Sequence, residues 1–146
     1  MTTHPPFQEI DHTADVGLKI YGDNLSELFL HAAQGLFSLI CEDEFPWDNR
    51  KRSSNSVQIR LHSDSLEELF HDWLGELLYF HSTRKIIFTQ YEIATVSSTA
   101  IKATAYGKNY DENDIQHLQE IKAVTYHQLE VKETPAGYES QVIFDI

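Results

Sequence analysis

The chain has 146 residues, of which 41% are hydrophobic and 12% are aromatic. This length is typical of one domain and this composition supplies a buried core, so we expect a single folded domain over residues 1–146. The 11 basic and 23 acidic residues give a formal net charge of −12. Because such a charge repels a polyanion at long range, we do not expect strong direct binding of nucleic acid.

The cysteine content and the hydropathy pattern bear on the compartment. Cys41 is the single cysteine, so neither an intramolecular disulfide nor a thiolate metal cluster of the usual spacing is expected. No stretch is apolar over the length of a membrane span, and residues 1–7 lack the basic and apolar regions of a signal peptide. We therefore expect a cytoplasmic protein that does not act at a membrane.

The first predicted elements are a strand and a helix. Apolar residues alternate with smaller or polar ones over residues 16–22, which predicts a half-buried strand. Asn24 is placed to cap a following helix, and Glu27 to reach back from its third position. Apolar residues at three- and four-residue steps then predict a helix from residue 25 to about residue 41.

A second strand and helix follow a polar connection at residues 42–55. Alternation over residues 57–61 predicts the strand. Ser65 and Glu68 repeat the capping pattern, and an apolar stripe over residues 66–78 predicts the helix.

The second half of the chain has the periodicity of strands. Turn-forming residues occupy 107–113 and 135–137. Because strands follow the helices as a block, we expect an α+β domain with two layers, a largely antiparallel sheet carrying two helices on one face. The predicted strands lie at about residues 86–96, 99–107, 120–132 and 139–145.

The densest polar cluster precedes the first predicted strand. Asp11, His12, Thr13 and Asp15 place two carboxylates, an imidazole and a hydroxyl in one short loop. One interpretation is a turn in which Asp11 or Thr13 bonds to the local backbone. Another is the active site of a metal-dependent hydrolase, although no glycine-rich phosphate loop, nucleophile elbow or paired-histidine helix accompanies it.

The last residues of the sequence form a second acidic site. Asp145 and Ile146 follow an alternating run, so the side chain of Asp145 and the main-chain carboxylate of Ile146 are adjacent anionic donors. Bringing them together is repulsive unless a cation is present, and oxygen donors suit Ca²⁺, Mg²⁺ or Mn²⁺. Most of the histidines, including His71, lie at no common ligand spacing, which argues against zinc. They are interpreted as surface or helix-flank residues.

The run from Lys122 to His127 is the third notable segment. It is predicted to open a strand with Lys122, Val124 and Tyr126 on one side. Lys122 is suited to contact a phosphate or a carboxylate of a partner. From the pattern alone, a solvated lysine at a strand entrance is the simpler interpretation.

Taken together, these segments resemble the archease family. The matching runs occur in the same order and at similar separations as in the family: 11–17, 21–23, 122–127 and 145–146. The resemblance implies an α+β protein that assists an RNA ligase of the tRNA-splicing type, which joins 3′-phosphate or 2′,3′-cyclic phosphate ends to 5′-hydroxyl ends. It also implies that the protein catalyses no ligation itself, but promotes guanylylation of the ligase and multiple turnover.

The resemblance also implies a set of site residues. Asp15, Asp145 and the main-chain carboxylate of Ile146 are the implied metal ligands, with Ca²⁺ as the expected ion and Mg²⁺ or Mn²⁺ as alternatives. Lys122 and His12 are candidate contacts to the ligase. A metal-independent, chaperone-like binding module remains the main alternative function.

Overall fold

The computed structural model describes residues 5–11, 15–41 and 55–146. These residues form an α+β fold, as predicted. None of the helices in these ranges is long and apolar enough to cross a bilayer. In chain order the elements are β1 (Phe7–Asp11), β2 (Asp15–Gly22), α1 (Leu25–Cys41), β3 (Asn55–His62), α2 (Leu66–Arg84), β4 (Ile86–Val96), β5 (Ala100–Asn109), α3 (Glu112–Ile115), β6 (Ala123–Val124), β7 (Glu130–Thr134) and β8 (Gly137–Asp145).

The described strands form two antiparallel sheets, where the sequence suggested one. In the larger sheet β1 pairs with β2, β2 pairs with β8, and both β6 and β7 pair with the other edge of β8. The smaller sheet has the order β3-β5-β4. Helices α1 and α2 contact strands of both sheets, so a shared helical layer buries their inner faces.

The helix starts follow the predicted capping chemistry. Asn24 Oδ1 accepts a hydrogen bond from the Glu27 amide at 2.9 Å, and Glu27 Oε1 accepts from the Asp23 amide at 3.1 Å. At the second helix, Ser65 Oγ accepts from the Glu68 amide at 3.2 Å. These bonds satisfy amides that have no partner inside the helix.

Aromatic side chains join the two helices at the centre of the core. Trp73 of α2 is fully buried, and its indole nitrogen donates to the carbonyl of Phe29 in α1 at 2.9 Å. The ring of Phe29 meets that of Phe70 edge to face, with centroids 5.3 Å apart. Because the indole has a partner, its burial carries no unsatisfied donor.

The prediction of one strand over residues 120–132 was wrong. The structure has the two-residue strand β6, an irregular stretch, and then the separate strand β7. Gln128 has a φ of 54°, a left-handed conformation that no strand residue adopts. The alternation of apolar and polar residues continues across this turn, and the turn contains no glycine or proline, so no sequence signal indicates that the strand ends there.

Two short elements were not predicted. Strand β1 has five residues, Phe7–Asp11, in which apolar and polar side chains do not alternate strictly. Helix α3 lies in a segment that was interpreted as a turn, and it is set by a capping box between Asp111 and Asp114. Of the polar connection predicted at residues 42–55, residues 42–54 lie outside the described residues and Asn55 begins β3.

A buried histidine closes one end of the helix layer. His81 of α2 is 9% exposed, and its Nδ1 lies 2.8 Å from the carbonyl oxygen of Ile86, so this nitrogen donates. Its ring meets the rings of Phe37 and Tyr110. Desolvation is the largest cause and lowers the pKa of His81; the hydrogen bond to Ile86 opposes it in part, and the nearby charge of Lys85 lowers the pKa slightly further.

We predict that His81 makes the protein less stable in acid. A lowered pKa means that the unfolded chain binds the proton more readily, so the contribution is complete above about pH 6.5 and is lost as the pH falls below that value. Urea unfolding should show that the unfolding free energy falls less between pH 7.5 and pH 5.5 for His81→Asn than for the original chain. Equal losses would contradict this.

Two glycines give a matched test of packing. A Cβ on Gly107 would collide with the backbone carbonyl of Ile87, whereas a Cβ on Gly75, in α2, meets nothing within 4 Å. Gly107→Ala should therefore lower the unfolding free energy by about 1–3 kcal/mol. Gly75→Ala should raise it by about 0.5–1 kcal/mol through helix propensity. Thermal or urea unfolding measures both changes. A Gly107→Ala variant as stable as the original chain would show that the backbone of Ile87 leaves more space at Gly107 than described.

Candidate metal centre

The pairing of β2 with β8 brings together two of the predicted ligands. The antiparallel register runs from Asp15 opposite Asp145 to Gly22 opposite Tyr138. Side chains directly opposite in such a pair share one face, with Cβ atoms roughly 4.5–5.5 Å apart. Asp15 and Asp145 are therefore direct cross-strand neighbours at the end of the ladder, with their side chains on the same face.

The neighbouring residues decide which way these carboxylates point. Val16 and Phe144, the next pair in the register, are buried in the core. Because successive side chains alternate between faces, Asp15 and Asp145 lie on the opposite face from the core. Asp145 is exposed and Asp15 is half-buried, and Oδ1 of Asp15 is shielded from solvent.

The electrostatics of this pair favour a cation. Like charges directly opposite on neighbouring strands destabilise a sheet. Two carboxylates on adjacent strands also supply oxygen donors, which are the ligands that Ca²⁺, Mg²⁺ and Mn²⁺ prefer. The residues present thus fit a hard divalent ion.

The pair is not a complete ligand set by itself. Within residues 5–11, 15–41 and 55–146, no three His, Cys, Asp or Glu side chains are grouped to hold a metal. Ile146 directly follows Asp145, and its side chain is 40% exposed. The predicted contact His12 lies outside the described residues.

Lys122 is linked to the pair through the backbone. Its amide donates to the carbonyl of Asp145 at 2.8 Å, and Ala123 stands opposite Asp145 in the register of β6 and β8. Lys122 is exposed. The structure therefore brings the segment from Lys122 to His127 next to the acidic pair. Only Ala123–Val124 of this segment form a strand.

One residue at this site was missed. His71 of α2 stacks on Tyr126 with ring centroids 3.8 Å apart, and its Nε2 lies 3.0 Å from the carbonyl oxygen of Val124. The pKa of Tyr126 is raised, first by desolvation and then by the charges of Asp72 and Glu68. No local pattern links His71 with residues so distant in sequence, so only the tertiary fold reveals this contact.

Known proteins resemble this chain over nearly its whole length. The model of the archease protein family matches residues 7–146. The chain belongs to the archease family. Protein archease of Methanosarcina barkeri is 37% identical, covering 96% of this chain and 95% of the relative. Protein archease of Pyrococcus abyssi is 31% identical, covering 96% and 98%.

Solved archease structures have the same fold. The solution structure of Methanobacterium thermoautotrophicum protein 1598 is 28% identical and superposes with a TM-score of 0.75, covering 97% of this chain and 99% of that one. The crystal structure of a Thermotoga maritima archease, described as a possible chaperone, gives a TM-score of 0.63 at 19% identity, covering 100% and 98%. The α+β assignment for this archease is thereby confirmed.

We predict that neutralising one carboxylate stabilises the metal-free protein. Asp145→Asn should raise the unfolding free energy in EDTA by about 0.2–1 kcal/mol, because it removes the repulsion across the strand pair. Glu133→Gln is the matched control, since Glu133 stands opposite Tyr138 rather than an acid. Equal effects of the two variants in urea titrations would contradict a specific repulsion between Asp15 and Asp145.

Proposed function

We propose that this protein is a non-catalytic activator of an RNA ligase of the tRNA-splicing type, acting in the cytoplasm. The ligase joins 3′-phosphate or 2′,3′-cyclic phosphate ends to 5′-hydroxyl ends. The activator promotes guanylylation of the ligase and its repeated turnover. Membership of the archease family supports this role, and the observation that carries the proposal is the register that places Asp15 opposite Asp145.

In this proposal the acidic pair holds a divalent ion. Asp15 and Asp145 supply side-chain oxygens, and the main-chain carboxylate of Ile146 supplies the third donor. Ca²⁺ is the expected ion, with Mg²⁺ or Mn²⁺ as alternatives, since all three prefer oxygen ligands. A bound divalent ion would neutralise phosphate charge near the nucleotide site of the ligase.

The residues around the pair have supporting roles in the same proposal. Lys122 is exposed beside Asp145, where its charge is available to a phosphate or to an acidic group of the ligase. His12, close to Asp15 in sequence, is proposed as a second contact to the ligase. The net charge of −12 favours a basic partner surface over direct binding of RNA.

A second candidate function is a metal-independent, chaperone-like binding module. The description of the Thermotoga maritima archease as a possible chaperone favours it. In that case the acidic end of the sheet docks on a basic surface without any ion. The two functions differ in what a variant that cannot bind metal should do.

The test is multiple-turnover RNA ligation by the ligase of the same genome, with Mn²⁺ and GTP. We expect the original chain and Glu133→Gln to stimulate turnover equally, and Asp145→Asn to lose roughly tenfold or more of that stimulation. Calorimetry with Ca²⁺ and Mn²⁺ should show a matching loss of affinity in Asp145→Asn, which gives a readout independent of ligation.

Each result has a distinct meaning. Full stimulation by Asp145→Asn would keep the partnership and exclude the metal mechanism, in favour of the binding module. No stimulation by the original chain would overturn the activator role itself. Loss of stimulation in both variants would show that the assay responds to surface charge in general.

A further inference from the structure

The segment from Lys122 to His127 is held to β8 on one of its sides. The amide of Lys122 donates to the carbonyl of Asp145 at 2.8 Å. The amide and the hydroxyl of Thr125 both donate to the carbonyl of Ile143, at 3.0 and 2.9 Å. These bonds set the backbone register of the segment directly beside the acidic pair.

On its other side, the segment meets α2 through His71. Nε2 of His71 lies 3.0 Å from the carbonyl oxygen of Val124. Because a carbonyl only accepts, this nitrogen carries the hydrogen and donates. The imidazole also covers one face of Tyr126, with the two rings 10° from parallel, although Tyr126 is otherwise 58% exposed.

The imidazole of His71 is also held at its second nitrogen, Nδ1. Nδ1 of His71 lies 3.2 Å from Oδ1 of Asp72, and Oδ2 of Asp72 accepts from the hydroxyl of Ser63 at 2.9 Å. Ser63 is 4% exposed, so this chain of bonds is anchored in the buried part of the fold. Both ring nitrogens of His71 therefore face oxygen atoms, the carbonyl of Val124 and the carboxylate of Asp72.

We infer that His71 is a positioning residue for the segment from Lys122 to His127: it holds this segment against β8 from the opposite side, beside the acidic pair. The contacts define two separate attachments, a donated hydrogen bond to the backbone and a stacked ring. Loss of His71 would leave the segment with its hydrogen bonds to β8 and the packing of Val124 on the core, and a short row of bonds at a sheet edge opens more readily when one side is released. Lys122 would then no longer have a fixed place beside Asp145.

The structural part of this inference stands without the proposed function. Its consequence for ligation rests on that function, because it matters only if Lys122 and the acidic pair act on the ligase. The experiment therefore measures the order of the segment and the stimulation of the ligase separately.

The test replaces His71 with two different amide residues, each of which can take the place of only one of the two imidazole nitrogens. His71→Gln can place an amide nitrogen near the position of Nε2, whereas His71→Asn can place one only near Nδ1. Hydrogen exchange of the Lys122 and Thr125 amides should accelerate roughly tenfold in His71→Asn, from loss of one hydrogen bond and the stacked contact. In His71→Gln the exchange should stay within about threefold of the original rate.

Reference amides in β2 and α2 should be unaffected in both variants. Equal exchange at Lys122 and Thr125 in the Gln and Asn variants, whether slow or fast, would overturn the positioning role. If His71→Asn does not fold, Tyr126→Ala replaces it, because it removes the stacked ring at an exposed position. It should accelerate the same two amides, and unchanged exchange would again contradict the inference.

Ligation assays then separate this inference from the proposed function. Stimulation should fall in His71→Asn and be rescued in His71→Gln. Unaltered stimulation in His71→Asn, with its Lys122 amide exchanging fast, would overturn the link to ligation. Absence of stimulation by the original chain would overturn the proposed function and leave the exchange result standing.

Discussion

The pairing of β2 with β8 is the constraint on which the rest of the structure depends. It joins the first part of the described chain to the last along eight residue pairs. One face of this ladder, with Leu18, Ile20, Val142 and Phe144, is fully buried. A shift of the register by one residue would turn these side chains outward, so the buried face fixes the register. The same register places Asp15 opposite Asp145.

The sequence predicted those parts of the fold that depend on local chemistry. Both long helices begin at the predicted caps, because a side chain and an amide three residues away decide the start. The strands of the smaller sheet were also predicted, since each has a clear alternation bounded by turn residues. The strand predicted over residues 120–132 was too long, because only Ala123–Val124 and Glu130–Thr134 pair with β8 and the turn between them interrupts no alternation.

The candidate site was predicted in part. Asp15, Asp145 and Lys122 were each identified from the sequence, and the register explains why they are close. The predicted roles of Asp15, Asp145 and Ile146 as metal ligands, and of Lys122 and His12 as contacts to the ligase, stay predictions. His71 was interpreted as a surface or helix-flank residue, because its contacts to Val124 and Tyr126 depend on how α2 lies against the end of β8. A contact made by two elements so distant in sequence has no signature in either one.

The central place of β8 also bears on how the chain folds. During synthesis β2 is made early, and its partner strand β8 is made after all of the other described elements. Until then one edge of β2 has unpaired amide and carbonyl groups, which makes it a template for pairing with another chain. Pairing between segments so far apart also closes a long loop, which slows folding. Folding of the larger sheet is therefore expected to complete late, and to be the step most exposed to aggregation.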